Sequence, residues 1–210
     1  MRVLSVGNMY PPLSLGGYEL AWRSSVEQLR SRGHAARVLT TDYGVDRRPA
    51  AEPDPEVFRE LRWYWREHEW PRLGLRGRLA VERHNAAVLR RHLGEFRPDV
   101  VAWWSMGGMS LSLIELVRRH GLPAAGVVCD DWLLYGPSVD QWTRIFRGRR
   151  RLAAPLAERL AGVPARVDLA DVGPVLFASA TLRERARAGG VGPPRSEVGL
   201  RGVERELFAA

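Results

Sequence analysis

Two adjacent carboxylates, Asp130 and Asp131, directly follow an apolar run at 124–129. Such a run predicts a strand buried on both faces, as in a parallel sheet. Ligands of open α/β sheets bind beyond the carboxyl ends of the strands, so this pair is expected at a binding edge, where it could hold hydroxyl groups or act as a base. The simpler interpretation is that one carboxylate caps a turn or pairs with an arginine. No histidine is placed in sequence to stabilise a thiolate at Cys129, which favours a small buried side chain there.

Two glycine pairs occupy similar positions. Gly16 and Gly17 lie between a predicted strand at 1–7 and a predicted helix at 18–32. Adjacent glycines let a ligand approach the backbone, and the start of a helix offers free N–H groups and a positive dipole end, which suits a diphosphate. Ser105, Gly107 and Gly108 follow a predicted strand at 100–104 and could present a hydroxyl and two amides to the same edge. In both places the alternative is a tight turn without a ligand. Neither pair is a G-x-G-x-x-G fingerprint, and the chain has no lysine to serve a Walker loop.

One segment mixes aromatic and arginine side chains. Its members are Arg62, Trp63, Tyr64, Trp65, Arg66, Trp70 and Arg72. Interleaved aromatics and arginines can stack on bases or lie at a membrane interface. Filling a core or lining a groove for a substrate is the more common use, so no nucleic-acid partner is expected. The five histidines are scattered without the spacing of metal ligands, so no metal site is expected either.

Composition sets the outer limits. A chain of 210 residues with 45% apolar side chains can form one large domain with a proper core. The net charge is +8, and all 32 cationic side chains are arginines. This exclusive use of arginine favours coding bias and solvated faces over a dedicated polyanion site. A single cysteine excludes an intrachain disulfide and fits a reducing compartment. No signal peptide or spanning segment is recognisable, so a cytoplasmic location is expected, with peripheral contact at the inner membrane face left open.

Strand and helix patterns alternate along the chain. Predicted strands lie at 1–7, 38–41, 57–65, 100–104, 124–129 and 175–178, and predicted helices at 18–32, 75–96, 109–120, 139–160 and 182–188, with a loop at 46–56. This order predicts an α/β fold in which a Rossmann-like, open, mostly parallel sheet carries helices on both faces.

Five short motifs in this order resemble a known family. They are Tyr10-Pro11-Pro12 to Gly16-Gly17 with Glu19, followed by Arg32-Gly33-His34; Arg97-Pro98-Asp99-Val100-Val101; Cys129-Asp130-Asp131-Trp132; Phe177-Ala178-Ser179; and Gly202-Val203-Glu204 to Phe208. Together they resemble the N-terminal domain of retaining, two-domain (GT-B) glycosyltransferases of family 4. The chain departs from that pattern where Cys129 replaces a histidine and Glu204 an aspartate.

The resemblance implies a function and a domain organisation. Residues 1–210 would form the acceptor-side domain, and the C-terminal domain that binds the nucleotide sugar would be absent, leaving the fragment inactive alone. The full enzyme would transfer a sugar with retention from a nucleoside diphosphate sugar, without a cofactor or a metal, to an acceptor that the sequence does not identify. The catalytic position would be Asp130. Among the substrate- or donor-binding positions, the resemblance implies Gly16, Gly17, Glu19, Trp132, Tyr135 and Ser179. Ser105, Gly107 and Asp131 are candidates because of their place at the edge of the predicted sheet.

Two other classes of function stay open. The chain could be a non-catalytic module or subunit that binds a sugar or nucleotide. It could also be a divergent Rossmann-type nucleotide enzyme, although the only clear acidic residue ending its second strand is Asp42.

A basic stretch offers one further hypothesis. On the predicted helix at 139–160, Arg147, Arg150 and Arg151 would share a face, and with Trp142 and Phe146 they could dock on anionic lipid. A solvated helix face is the favoured interpretation.

Overall fold

Parallel strands form one open sheet in the computed structural model, which describes residues 1–44, 54–193 and 195–199. The seven strands of the described residues are β1 (Arg2–Val6), β2 (Ala35–Thr41), β3 (Val57–Leu61), β4 (Val100–Trp103), β5 (Ala124–Val128), β6 (Val175–Phe177) and β7 (Ser196–Val198). Their order across the sheet is β3-β2-β1-β4-β5-β6-β7, and every neighbouring pair is parallel. All the carboxyl ends therefore lie along one edge.

Helices connect these strands. They are α1 (Gly17–Ser31), α2 (Leu75–Phe96), α3 (Ser112–Arg119), α4 (Trp132–Val139), α5 (Ala154–Ala161) and α6 (Ala180–Ala188), with 3₁₀ turns at Thr143–Phe146, Gly148–Ala153 and Leu169–Val172. The chain moves one way across the sheet from β1 to β3 and the other way from β4 to β7. Right-handed crossovers therefore place α1 on one face and the helices after β3 on the other. This is the α/β, Rossmann-like fold that the sequence predicted.

The apolar core lies against the central strands. Leu4, Val6, Val101 and Trp103 of β1 and β4 are completely or almost completely buried. On the α1 face, the ring of Trp22 stacks on that of Trp104 with 5.8 Å between centroids. The stacked rings hold α1 against the end of β4, and β4 pairs with β1. The carboxyl ends of β1 and β4 carry two of the predicted site loops.

The predicted strand at 57–65 is too long. β3 ends at Leu61, because the Asn85 side chain of α2 accepts a hydrogen bond from the Arg62 N–H at 2.7 Å and donates one to the Arg62 carbonyl at 2.9 Å. The segment that follows is held against a helix instead of a neighbouring strand. Consequently Trp63, Tyr64 and Trp65 are all buried, without the alternation of a strand.

The predicted continuous helix at 139–160 is wrong, and only its last part is α-helical, as α5 (Ala154–Ala161). Asp140 is extended, and its carboxylate accepts hydrogen bonds from the Trp142 and Thr143 N–H groups, which draws the backbone out of a helical path. Gly148 has φ +57° and interrupts it again. Arg147 is extended between two 3₁₀ turns, so Arg147, Arg150 and Arg151 do not share a continuous helix face.

The lipid anchors suggested for that helix belong to the core. Trp142 is buried, and its indole N–H donates to the Pro164 carbonyl at 2.8 Å. Phe146 packs edge-on against Trp142.

Other differences are smaller. α4 and β7 are short elements that the sequence patterns did not predict, and α3 begins at Ser112, three residues later than expected, after Gly108 at φ +71°. The motif from Gly202 to Phe208 lies outside the described residues.

None of the helices in the described ranges is long and apolar enough to cross a bilayer.

Candidate functional site

A cleft of about 560 Å³ opens at the carboxyl edge of the sheet. Its lining comes from the segments that follow β1, β3, β4, β5 and β6. The lining residues are Asn8, Met9, Leu15, Gly16, Gly17, Tyr18, Glu19, Trp63, Trp65, His68, Trp70, Ser105, Gly107, Cys129, Asp130, Tyr135 and Ala178. Seven of the ten predicted site residues therefore meet in one place, although they are up to 119 positions apart in sequence.

The glycine loop and α1 form one wall. Gly16 is extended, at φ −174°, and no atom lies within 4 Å of the position that a Cβ would take there. Glu19, in the first turn of α1, is buried and accepts a hydrogen bond from the Gly16 N–H at 3.1 Å. Glu19 therefore holds the glycine loop in place through this hydrogen bond, while the space beside Gly16 remains open to a ligand.

A polar network joins the ends of β1 and β4. The Asn8 side-chain amide donates to the Ser105 hydroxyl at 3.0 Å and to the Gly107 carbonyl at 3.4 Å. The Asn8 backbone N–H donates to the Ser105 carbonyl at 2.9 Å. These contacts explain why two loops distant in sequence keep a fixed spacing across the cleft. Asn8 was missed by the sequence analysis, although it directly follows the predicted strand at 1–7.

Asp130 and Tyr135 form a hydrogen-bonded pair in the cleft lining. The Tyr135 hydroxyl donates to Asp130 Oδ2 at 3.0 Å, and the Trp132 N–H donates to Asp130 Oδ1 at 3.2 Å. Burial raises the pKa of the Asp130 carboxyl, while these two donors oppose the rise. A carboxylate held in this way is oriented, partly desolvated and a stronger proton acceptor than an exposed aspartate.

Gly107 lets Tyr135 approach the backbone. A Cβ on Gly107 would overlap the Tyr135 hydroxyl, and one on Gly108 would overlap the Trp70 ring. Gly108 also has φ +71°, which favours glycine. The second glycine pair thus serves close packing of aromatic side chains, as well as bringing the Gly107 backbone to the cleft.

Aromatic rings form the remaining wall. Trp63 and Trp65 lie 4.6 Å apart between ring centroids, and Trp65 contacts the His68 ring edge-on. The Trp63 indole N–H donates to the Gly107 carbonyl at 2.9 Å, which ties this wall to the β4 loop. Trp70 is 39% exposed and completes the aromatic wall. Tyr64 points away, into a buried contact with Glu82.

The charge of the lining differs from that of the whole chain. Although the protein carries 32 arginines, none is among the described residues that line this cleft. The lining contributes two carboxylates, Glu19 and Asp130, and one histidine, His68. In the described ranges, no group of three or more His, Cys, Asp or Glu side chains is arranged to hold a metal ion.

Three predicted site residues lie outside the lining. Asp131 forms an ion pair with Arg185 at 2.5 Å, Trp132 is completely buried, and the Ser179 hydroxyl caps α6 by accepting from the Leu182 N–H at 3.2 Å. Each has a structural role in the described geometry. Ala178, next to Ser179, is the residue of that motif that reaches the cleft.

Comparisons with known proteins give a fold and no family. No protein-family model and no curated protein matches the chain. Among solved structures, the chain is similar to sucrose-phosphate synthase from Thermosynechococcus elongatus, with a TM-score of 0.57 and 11% identity over 98% of this chain. A second structure bearing that enzyme's name gives a TM-score of 0.49 and 10% identity, with both chains fully covered. The chain spans 49% of the first structure's length, and at this identity the likeness concerns the fold alone.

Proposed function

We propose that this chain is the acceptor-side half of a glycosyltransferase that uses a nucleoside diphosphate sugar and retains the anomeric configuration. The observation that carries the proposal is the convergence of the glycine loop, the Ser105–Gly107 loop and the Asp130–Tyr135 pair on one cleft. The sequence motifs that resemble family 4 glycosyltransferases supply Gly16, Gly17 and Asp130 of this cleft. The fold likeness to about half of an enzyme named sucrose-phosphate synthase supports the assignment to a sugar transferase.

The donor would lie against the glycine loop. The open backbone at Gly16 and the N-terminal amides of α1 suit the diphosphate, which needs close approach and positive potential. Glu19 already accepts from the Gly16 N–H, so the proposed contribution of this loop is the open space beside Gly16 and the positive end of the α1 dipole.

The acceptor would lie between the aromatic wall and Asp130. Indole rings offer flat apolar faces for a sugar or other ring, and the Asp130 carboxylate offers an acceptor for a hydroxyl group. With no arginine in the described lining, the cleft lacks the usual partner of a phosphate or carboxylate. The proposed acceptor is therefore a neutral, hydroxyl-bearing ring compound.

In the reaction, an acceptor hydroxyl oxygen would bond to the anomeric carbon as the bond from that carbon to the diphosphate oxygen breaks. Asp130 would hold the hydroxyl and receive its proton, a role for which its raised pKa is suited. The second half of the enzyme would hold the nucleotide and supply the cations that stabilise the leaving diphosphate.

Ligand-observed NMR on this chain tests the proposal. Neutral methyl and aryl glycosides should show saturation transfer, sugar phosphates of the same ring should show less, and Asp130→Asn should reduce the glycoside signal. Asp168→Asn, an exposed carboxylate outside the cleft lining, is the control. Glycoside binding that Asp130→Asn leaves unchanged would contradict this use of the cleft. Binding that persists without transfer once the other half is present would favour a non-catalytic sugar-binding module.

The Rossmann-type nucleotide enzyme is the less favoured alternative. In that class an acidic residue at the end of β2 binds the ribose. Asp42, which follows β2, is not among the residues that line the cleft.

A further inference from the structure

Three leucines at four-residue intervals lie exposed on and just before α5. Leu152 is 91% exposed, Leu156 62% and Leu160 71%. A spacing of four places Leu156 and Leu160 on the same side of α5, and Leu152 lies in the 3₁₀ turn that leads into it. Large apolar side chains exposed singly are common, whereas a contiguous apolar patch on a protein surface marks an interaction site.

Cationic side chains surround these leucines. The segment 147–161 contains Arg147, Arg149, Arg150, Arg151 and Arg159, against one carboxylate, Glu158. Arg149, Arg150, Arg151 and Arg159 form no ion pair with any described carboxylate. Glu158 is turned inward, where it pairs with Arg119 at 2.8 Å and accepts from the Ala165 N–H at 3.1 Å. The outward charge of this surface is therefore positive.

The backbone beneath this surface is held in place. The Arg83 guanidinium of α2 donates to the Ala161 and Leu160 carbonyls at 2.8 and 2.9 Å, and Arg90 donates to the Gly162 carbonyl at 2.9 Å. Ala154 and Ala161 face the core. The leucines are thus presented outward by an anchored helix.

We infer that this leucine–arginine surface, formed by Leu152, Leu156, Leu160, Arg149–Arg151 and Arg159, docks on an anionic lipid bilayer. An apolar row bordered by arginines matches an interface where acyl chains lie below negatively charged headgroups. Charge complementarity selects this partner over a second copy of the chain, because two copies meeting through this surface would oppose their own arginines. The inference is independent of the function proposed for the cleft.

Vesicle co-sedimentation of the 210-residue chain tests the inference. Binding is expected to phosphatidylcholine vesicles that contain phosphatidylglycerol, with at least about a tenfold preference over phosphatidylcholine alone, and it should weaken as salt is added. The triple variant Leu152→Gln/Leu156→Gln/Leu160→Gln and the triple variant Arg149→Gln/Arg150→Gln/Arg151→Gln should each lower binding by roughly tenfold or more.

Matched controls keep the result specific. Leu20→Gln/Leu176→Gln removes exposed leucines elsewhere, and Arg32→Gln/Arg76→Gln/Arg187→Gln removes the same charge elsewhere. Both should bind vesicles like the parent, and melting temperatures should show that all variants fold. No binding to anionic vesicles at low salt would overturn the inference, as would equal losses in the control variants. Self-association in analytical ultracentrifugation that only the leucine variant abolishes, without vesicle binding, would assign the surface to a second copy.

Discussion

Neighbouring carboxylates at the end of β5 have different surroundings. Asp130 lines the cleft and binds the Tyr135 hydroxyl, whereas Asp131 pairs with Arg185 of α6. In the proposed two-domain transferase, Asp130→Asn should reduce transfer efficiency by roughly tenfold or more, because an unpaired polar contact in a binding site costs about 1–3 kcal/mol. Asp131→Asn should cost little activity, since a partly exposed ion pair contributes little. Steady-state kinetics of both variants test this difference. Equal losses of catalytic efficiency would show that the cleft is not where substrate binds.

Two glycines of the cleft should respond differently to a side chain. Gly16 is extended with open space at its Cβ position but is the N-cap of α1, so Gly16→Val should lower the melting temperature only slightly. It should impair donor use more strongly, since the new side chain would fill space that the diphosphate needs. Gly107→Ala should instead lower the melting temperature, because its Cβ would overlap the Tyr135 hydroxyl. Thermal unfolding and kinetics on both variants separate the effects. A large loss of stability in Gly16→Val would contradict the first expectation.

At the scale of elements, a buried acid joins α2, α3 and the aromatic segment. Glu82 is completely buried, accepts a hydrogen bond from the Tyr64 hydroxyl at 2.7 Å and contacts the Ser112 hydroxyl. Burial and the nearby Asp140 carboxylate hold the pKa of Glu82 well above its usual range. Burial raises the pKa of Asp140 as well, but three backbone N–H bonds, from Leu111, Trp142 and Thr143, oppose that rise. Glu82 accepts only hydroxyl hydrogen bonds, so it is the group that holds the proton.

The raised pKa of Glu82 determines how the folding stability changes with pH. A carboxyl whose folded-state pKa is raised binds its proton more tightly when folded, so stability falls as pH rises from the ordinary carboxyl value through the raised one. Glu82→Gln should therefore raise the melting temperature at about pH 8 relative to the parent, with little gain at about pH 5. Glu115→Gln is a control of opposite sign, because hydrogen bonding to Arg118 lowers the pKa of Glu115. A constant difference between parent and Glu82→Gln across pH would show that Glu82 does not titrate in this range.

Elements with a clear periodicity were predictable, and those governed by side-chain contacts were not. The helical periodicity of the sequence predicted α2 with its observed bounds. The central strands were predicted from continuous apolar runs, which arise because these strands are buried on both faces. It failed where a single side chain redirects the backbone, as Asn85 does after β3 and Asp140 does after α4. The Asn85 contact joins residues 23 positions apart, so no local pattern indicates it. The Asp140 contact is a local Asp turn over two to three residues, which competes with the helix predicted there.

The candidate site was partly predictable for the same reason. Parallel strands bring their carboxyl ends together, so loops after apolar runs could be assigned to one edge from the sequence. The roles of Asp131 and Ser179 could not be assigned, since their partners Arg185 and the Leu182 N–H become neighbours only when α6 is in place.

At the scale of the molecule, positive charge is separated from the cleft. Several arginines hold backbone carbonyls, as Arg59 does at Tyr10 and Arg83 at Ala161, and others form the surface around α5. The cleft lining itself holds carboxylates and aromatic rings. The overall charge of +8 therefore says little about what the cleft binds.

This separation leads to a prediction for the isolated chain. Transfer requires positive groups near the leaving diphosphate, and electrostatic stabilisation of that kind is commonly the largest single contribution to catalysis. No arginine reaches the described cleft lining, and the chain has no lysine, so the start of α1 is the main positive feature there. The isolated chain should therefore bind neutral glycosides yet show no detectable transfer from any nucleoside diphosphate sugar. Adding the proposed donor half, on the same polypeptide or in trans, should restore turnover. Radiolabelled-donor assays on the isolated chain provide the check, and robust turnover without a second half would mean that this cleft stabilises the leaving group through residues other than arginine.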